Sequence, residues 1–273
     1  MEKISLKSVF LALFVVLSFT GVAQATKKKD EETFLRHKQG CADGYIEGCG
    51  TLGYMYEKGI GTEQDFTKAI KFYTQACEGN LLKACNNLGT IYEATNTLNH
   101  DIKKALTYYA KACDKGIMLS CFNIATIYHE GTSLPQSLIK AAVLYDHSCR
   151  NGFAQSCYNL APMYLNSEGV KKDTAKAIKL YKQACKAGVI DGCSSLGVLY
   201  LKGIGMKKDH QKASTLFKTS CEKGLALGCT NLGLMYHKGT GVEKNYKKAA
   251  ILFKQACKGG DTKACNHLET LNQ

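Results

Sequence analysis

The chain has 273 residues, of which 36 are Lys or Arg and 23 Asp or Glu, giving a formal charge of +13, and it carries 14 cysteines. A surface so rich in spread lysines either favours acidic partners or is a plain solvated face. If the chain is exported, as its first residues indicate, nucleic acid is excluded as a natural partner and free thiols are disfavoured, because compartments outside the cytosol are oxidising.

Lys3 and Lys7 precede an apolar run from Val9 to Phe19 and then Ala23-Gln24-Ala25, a small-residue cleavage pattern. This predicts a signal peptide over residues 1–25. The apolar run is shorter than the roughly 20 residues a bilayer-spanning helix needs, and no cysteine follows the cleavage site, so neither a membrane nor a lipid anchor is expected. The remaining residues 26–273 hold 34 basic and 22 acidic residues, a charge of +12. Their expected location is the periplasm or the exterior, with anionic envelope polymers or acidic proteins as the partners that fit the charge.

A fixed period then organises the chain. Cys41, Cys77, Cys113, Cys149, Cys185, Cys221 and Cys257 form one series and Cys49, Cys85, Cys121, Cys157, Cys193, Cys229 and Cys265 another, both stepping by 36. The first predicted element is an opening helix near 30–42. Six helix pairs follow over about 45–258, and a closing helix over about 261–271 ends a single solenoid domain, 26–273.

In each pair the first helix, A, begins near the second cysteine. Three residues on stand Leu52, Leu88, Ile124, Leu160, Leu196 and Leu232; the next column is Gly53, Gly89, Ala125, Ala161, Gly197 and Gly233; seven on are Tyr56, Tyr92, Tyr128, Tyr164, Tyr200 and Tyr236. Offsets of 0, 3, 4 and 7 share one helical face, where the small residue lets a neighbour approach. Gly59-Ile-Gly61, Gly203-Ile-Gly205 and Gly239-Thr-Gly241 then supply left-handed turns.

Helix B opens at Asp65, Asp101, Ser137, Asp173, Asp209 or Asn245, residues whose side-chain oxygen can cap first-turn amides. Its buried face runs through Ala69, Ala105, Ala141, Ala177, Ala213 and Ala249, then Tyr73, Tyr109, Tyr145, Tyr181, Phe217 and Phe253, and ends at the first cysteine. A turn containing Gly44, Gly116, Gly152, Gly188, Gly224 or Gly260 leads into the next helix A.

Two antiparallel helices joined by so short a turn bring the cysteines eight residues apart within disulfide reach, about 5–6 Å between α-carbons. The expected bridges are Cys41–Cys49, Cys77–Cys85, Cys113–Cys121, Cys149–Cys157, Cys185–Cys193, Cys221–Cys229 and Cys257–Cys265. Metal sites are the weaker alternative, since no histidine recurs beside the pairs. No cofactor or metal is expected.

Leu, Gly and Tyr at these offsets, followed by G-x-G, an Asp cap, K-A and an aromatic, resemble the Sel-like branch of the tetratricopeptide repeats over residues 41–270. The C-x7-C spacing is similar to that of the Helicobacter cysteine-rich protein family. Thr95 and Thr97 depart from the loop pattern, as do Ser133 and Ser167, and Pro162 is expected to interrupt a helix A. The resemblance implies an all-α, disulfide-stapled alpha/alpha superhelix of 36-residue helix-turn-helix repeats with a concave binding groove. It also implies binding and slow hydrolysis of β-lactams, a label this family commonly carries.

The residues give that activity no motif. Two S-x-x-K matches, Ser137 to Lys140 and Ser220 to Lys223, fall in repeat columns, while the S-D-N and K-T-G elements of serine β-lactamases are missing from the sequence. The seven histidines include no H-x-H or H-E-x-x-H spacing, and His129 and His237 read as solvated surface residues. The other reading is a binding scaffold. Two residues after the second cysteine stand Thr51, Asn87, Asn123, Asn159, Ser195, Asn231 and His267, expected to point away from the packing face into the groove. Asparagine is a mediocre helix former, and an amide suits the backbone of an extended peptide, although duplication alone also copies a solvated side chain through an array. Lys58, Lys202 and Lys238 would draw a carboxylate beside that row. The sequence thus points to peptide or protein ligands of host or envelope origin, or to β-lactams, bound by a monomer.

Overall fold

In the computed structural model residues 26–94 and 99–271 are described; the expected signal peptide, Thr95 and Thr97 lie outside them. Each 36-residue repeat turns its small and aromatic columns into one pair of antiparallel helices. Among the described residues there are fourteen helices and no strand. They are α1 (26–42), α2 (Ile46–Lys58), α3 (Phe66–Glu78), α4 (Leu82–Glu93), α5 (Ile102–Asp114), α6 (Met118–Glu130), α7 (Leu138–Arg150), α8 (Ala154–Asn166), α9 (Thr174–Lys186), α10 (Ile190–Lys202), α11 (His210–Glu222), α12 (Ala226–Lys238), α13 (Tyr246–Lys258) and α14 (Thr262–Leu271). The even-numbered helices are the A helices. This is the repeating helix-turn-helix architecture of an all-α solenoid. No helix of the described residues is long and apolar enough to cross a membrane.

The chain forms two compact units that part after Ser120. In the first, the core runs through Phe34, Leu52, Met55, Tyr73, Leu88 and Ile91. In the second it continues in the same columns, through Tyr145, Leu160, Met163, Tyr181 and Leu196, then Phe217 and Leu232, then Phe253. The alanine column of helix B, from Ala69 to Ala249, is fully buried. Under each glycine of helix A lies the ring of the following helix B: a β-carbon at Gly53, Gly197 or Gly233 would stand 2.7–2.8 Å from Tyr73, Phe217 or Phe253. The close approach is therefore set by the missing side chain.

Five of the six cap residues act as their side chains predict. Asp65, Asp101, Asp173, Asp209 and Asn245 accept the backbone N–H of Lys68, Lys104, Lys176, Lys212 and Lys248. Ser137 makes no such bond, so α7 begins uncapped. Ser137→Asp is expected to stabilise the protein by about 1 kcal/mol, through the missing cap bond and a charge at a helix N-terminus. The check is a higher midpoint of thermal unfolding than wild type.

Pro162 departs from expectation in the other direction. The helix α8 continues through it from Ala154 to Asn166. A proline costs the helix one backbone donor, and here Leu160, Ala161 and Met163, all fully buried, hold the segment in place around it.

Six bridges join residues eight apart, Cys41–Cys49, Cys77–Cys85, Cys149–Cys157, Cys185–Cys193, Cys221–Cys229 and Cys257–Cys265. The other two cysteines, Cys113 and Cys121, are disulfide-bonded as well. In the six, α-carbons are 4.5–4.9 Å apart, closer than the sequence suggested. The reason is the residue before each cysteine. Ala76, Ser148, Ala184, Ser220 and Ala256 on the B side, and Ala84, Ser156 and Ala264 on the A side, are small and buried, and Gly192 and Gly228 have no side chain at all.

Candidate functional site

The asparagine row lies where helix A meets the tyrosines of the preceding helix B. Asn159 donates its amide to the Tyr145 hydroxyl at 3.3 Å, and accepts from Gln155 at 3.4 Å. Asn87 takes the equivalent place beside the Tyr73 hydroxyl, and Ser195 lies beside those of Tyr181 and Tyr158, each favouring the ionised phenol against the effect of burial. Asn123 is half-buried in the same column of α6. Recurrence of a polar side chain here has an internal cause: a tyrosine buried to its hydroxyl needs a partner for that group.

Carboxylates complete the arrangement in the first unit. Tyr73 donates to Glu57 at 2.8 Å and Tyr109 to Glu93 at 2.5 Å. Burial first, then the Glu57 carboxylate, push the Tyr73 hydroxyl far above the ordinary phenol range. Burial pushes Tyr181 up to about 12. From Phe217 on, the column changes. Phe217 has no hydroxyl, and the side chain of Asn231, which shares its repeat, makes no hydrogen bond within the described residues; His267 instead stacks on Phe253, ring centroids 5.2 Å apart.

Two members of the row meet in a cleft. Between α2 and α4, Thr51, Asn87, Tyr54 and Lys83 surround an apolar floor of Tyr73, Leu81 and Ala84, enclosing about 320 Å³. The lysines expected beside the row divide. Lys58 is bound to Glu57 at 2.6 Å, whereas Lys202 and Lys238 end α10 and α12 as exposed residues. Residues 26–120 hold 13 basic against 12 acidic residues, and residues 121–273 hold 21 against 10, so nearly all of the excess charge belongs to the second unit.

The lysine column that contains Lys140 has a role that the sequence reading missed. The lysine of each K-A pair lies over the helix A tyrosine: Lys68, Lys104, Lys140, Lys176, Lys212 and Lys248 stand 4.4–5.4 Å from the ring centroids of Tyr56, Tyr92, Tyr128, Tyr164, Tyr200 and Tyr236. The signal was the shared period of the two columns. Lys68, Lys104 and Lys212 also pair with their cap carboxylates at 3.1, 3.7 and 2.8 Å, and Lys176 with Asp146 at 3.3 Å.

The S-x-x-K serines occupy structural positions. Ser220 is fully buried and its hydroxyl donates to the Leu216 carbonyl at 2.9 Å. Ser137 precedes α7, and the ammonium of Lys140 faces the Tyr128 ring at 4.9 Å. His129 and His237 are half-buried and not freely solvated: they pack edge-on against Tyr145 and Tyr246, rings at different positions along their B helices.

No curated protein matches the chain. Among solved structures, a protective antigen of uropathogenic Escherichia coli that displays an SLR fold superposes with a TM-score of 0.80 at 26% identity, over 86% of this chain and 50% of that one. A Sel1 repeat protein from Oxalobacter formigenes gives 0.73 at 26% identity, over 83% and 65%. Helicobacter pylori cysteine rich protein B is 28% identical over 49% of this chain and 96% of its own, with a TM-score of 0.40. The chain thus spans half the length of the first of these and 65% of the second. Sel1 repeats match at residues 49–81, 82–117, 119–153, 154–189, 190–225 and 226–261. With six consecutive repeats covering most of its length, the chain belongs to the Sel1 repeat family.

Proposed function

We propose that this chain is an exported scaffold that binds extended peptide or protein segments along the helix A row of Thr51, Asn87, Asn123, Asn159, Ser195 and Asn231. The observation that carries it is the cleft between α2 and α4, where Thr51, Asn87 and Tyr54 converge over an apolar floor. An amide has two donors and two acceptor lone pairs, so Asn159, which holds the Tyr145 hydroxyl, and Asn87, beside that of Tyr73, keep capacity for a ligand backbone. Held that way, they lose little further freedom on binding.

Repeat arrays of this class generally serve protein–protein interaction. The excess charge of the second unit, with Lys202 and Lys238 exposed in it, favours acidic segments of host or envelope origin. Fourteen disulfide-bonded cysteines fit the periplasm or the exterior. Hydrolysis of β-lactams draws no support from Ser220, which is sealed inside the fold.

The test begins with a peptide selected from a random library on residues 26–273 with bridges intact. Asn231→Ala, Lys202→Gln and Lys238→Gln together remove no internal hydrogen bond and should leave the unfolding midpoint in place. They are expected to weaken the peptide on the order of tenfold, the loss of one charge-assisted contact. Unchanged affinity removes the proposal.

A further inference from the structure

The second unit carries two clefts at equivalent repeat positions. One is lined by Leu196, Tyr200, Lys212, Thr215 and Leu216. The other, of about 290 Å³ between α11, α12 and α13, is lined by Leu232, Tyr236, Lys248, Ile251 and Leu252, each 36 residues beyond its counterpart.

The first unit shows what fits there. At the column of Leu216 and Leu252 it has Phe72 and Tyr108, and these rings lie parallel on Tyr56 and Tyr92 at 5.6 and 5.7 Å, with interplanar angles of 3° and 4°. Leu216 and Leu252 have no ring with which to cover Tyr200 and Tyr236, and each of these tyrosines lines an open cleft. The two clefts then differ in charge. Lys212 is held by the cap carboxylate of Asp209 at 2.8 Å, but the cap before α13 is the neutral Asn245. Lys248, 5.3 Å from the Tyr236 centroid, therefore has no ion-pair partner among the described residues, and the Glu222 carboxylate that also lines the cleft pairs with Lys218 at 3.9 Å. Ile251, 67% exposed, adds an apolar rim.

We propose that the cleft at Tyr236 binds the C-terminal aromatic residue of a partner polypeptide. Its ring lies on Tyr236 as Phe72 lies on Tyr56, and its terminal carboxylate meets the ammonium of Lys248. Stacking on an aromatic face and a charge-assisted contact beside an apolar floor reinforce one another, because the floor excludes the water that would screen the charge. None of these residues belongs to the asparagine row, so this site stands or falls independently of the proposed peptide groove.

The probe is a fluorescein-labelled Gly-Ser-Gly-Ser-Phe with a free carboxylate, titrated by polarisation against residues 26–273 with bridges intact. It should bind on the order of tenfold more tightly than the same peptide amidated or ending in alanine. Leu252→Phe supplies from within the ring that the first unit already has; binding should disappear while the unfolding midpoint holds or rises. Lys248→Gln should bring the free acid down to the affinity of the amide. Ile251→Glu, at an exposed position that the fold does not need, should weaken the free acid by at least about tenfold through repulsion. Leu216→Phe, in the neighbouring cleft, should change nothing. No binding up to about millimolar protein, or equal binding of acid and amide, or wild-type affinity in Ile251→Glu, overturns the assignment.

Discussion

Replacing Cys185 and Cys193 together by alanine is expected to cost about 2–3 kcal/mol, the chain-entropy value for so short a loop. The bridge lies at a corner where Ala184 and Gly192 already let the helices approach, with α-carbons of the two cysteines 4.5 Å apart. Packing alone would therefore keep the folded corner nearly unchanged, and most of the loss arises in the unfolded chain, which gains conformations the bridge denied it. For a unit of this size such a change lowers the unfolding midpoint by roughly 5–10 °C. Calorimetry of the double variant beside wild type, both without reductant, measures it. An unchanged midpoint would mean that the small buried residues, and not the sulfur bridge, hold successive repeats together. The same logic extends to reduction of every bridge at once: losses of this size, repeated around the array, exceed a typical domain stability, so a reduced chain is expected to unfold near room temperature.

The fold was legible because duplication repeated every structural instruction six times. Gly53, Gly89, Gly197 and Gly233 recur directly after a leucine, and the rings that fill those gaps recur in Tyr73, Tyr109, Phe217 and Phe253. The caps were equally open to reading, with Ser137 as the exception, since residue type states what a side chain can accept and not whether it does. The candidate site was less legible. The asparagine column looked like a free polar stripe because a single helix wheel shows only its own faces. Asn159 is tied to Tyr145 and Asn87 lies beside Tyr73, each ring 14 residues earlier on another helix, and this pairing needs the register between helices. One sequence signal was present: a hydroxyl-bearing ring at Tyr73, Tyr145 and Tyr181 is followed by Asn87, Asn159 and Ser195. The lysine row over the helix A tyrosines was missed for the same reason, as was the exchange of Phe72 and Tyr108 for Leu216 and Leu252 that opens the clefts of the second unit.

Phe217→Ala should cost about 3–5 kcal/mol, the largest effect of any single substitution considered, because the ring is fully buried and fills the gap left by Gly197. Alanine there leaves a cavity lined by Leu232 and Met235, too apolar for water to fill. The instructive partner is Phe217→Tyr. In the first unit the equivalent hydroxyls reach Glu57 and Glu93, but the residue in that column is here Leu201, which offers no acceptor. Asn231 does, in the position from which Asn159 bonds Tyr145. Phe217→Tyr is therefore expected to stay within about 1 kcal/mol of wild type, since a buried hydroxyl is costly only when it finds no partner. Adding Asn231→Ala to it should cost a further 1–3 kcal/mol, roughly the penalty for an unsatisfied buried hydroxyl, whereas Asn231→Ala alone should be near neutral. Urea titrations of the four proteins close a double-mutant cycle whose coupling energy is the bond between the two side chains. A coupling energy of zero would show that Asn231 does not serve as the hydroxyl's partner in this repeat. A positive one would make the structural role of that row and its proposed binding role the same property, an amide held in place by the ring behind it.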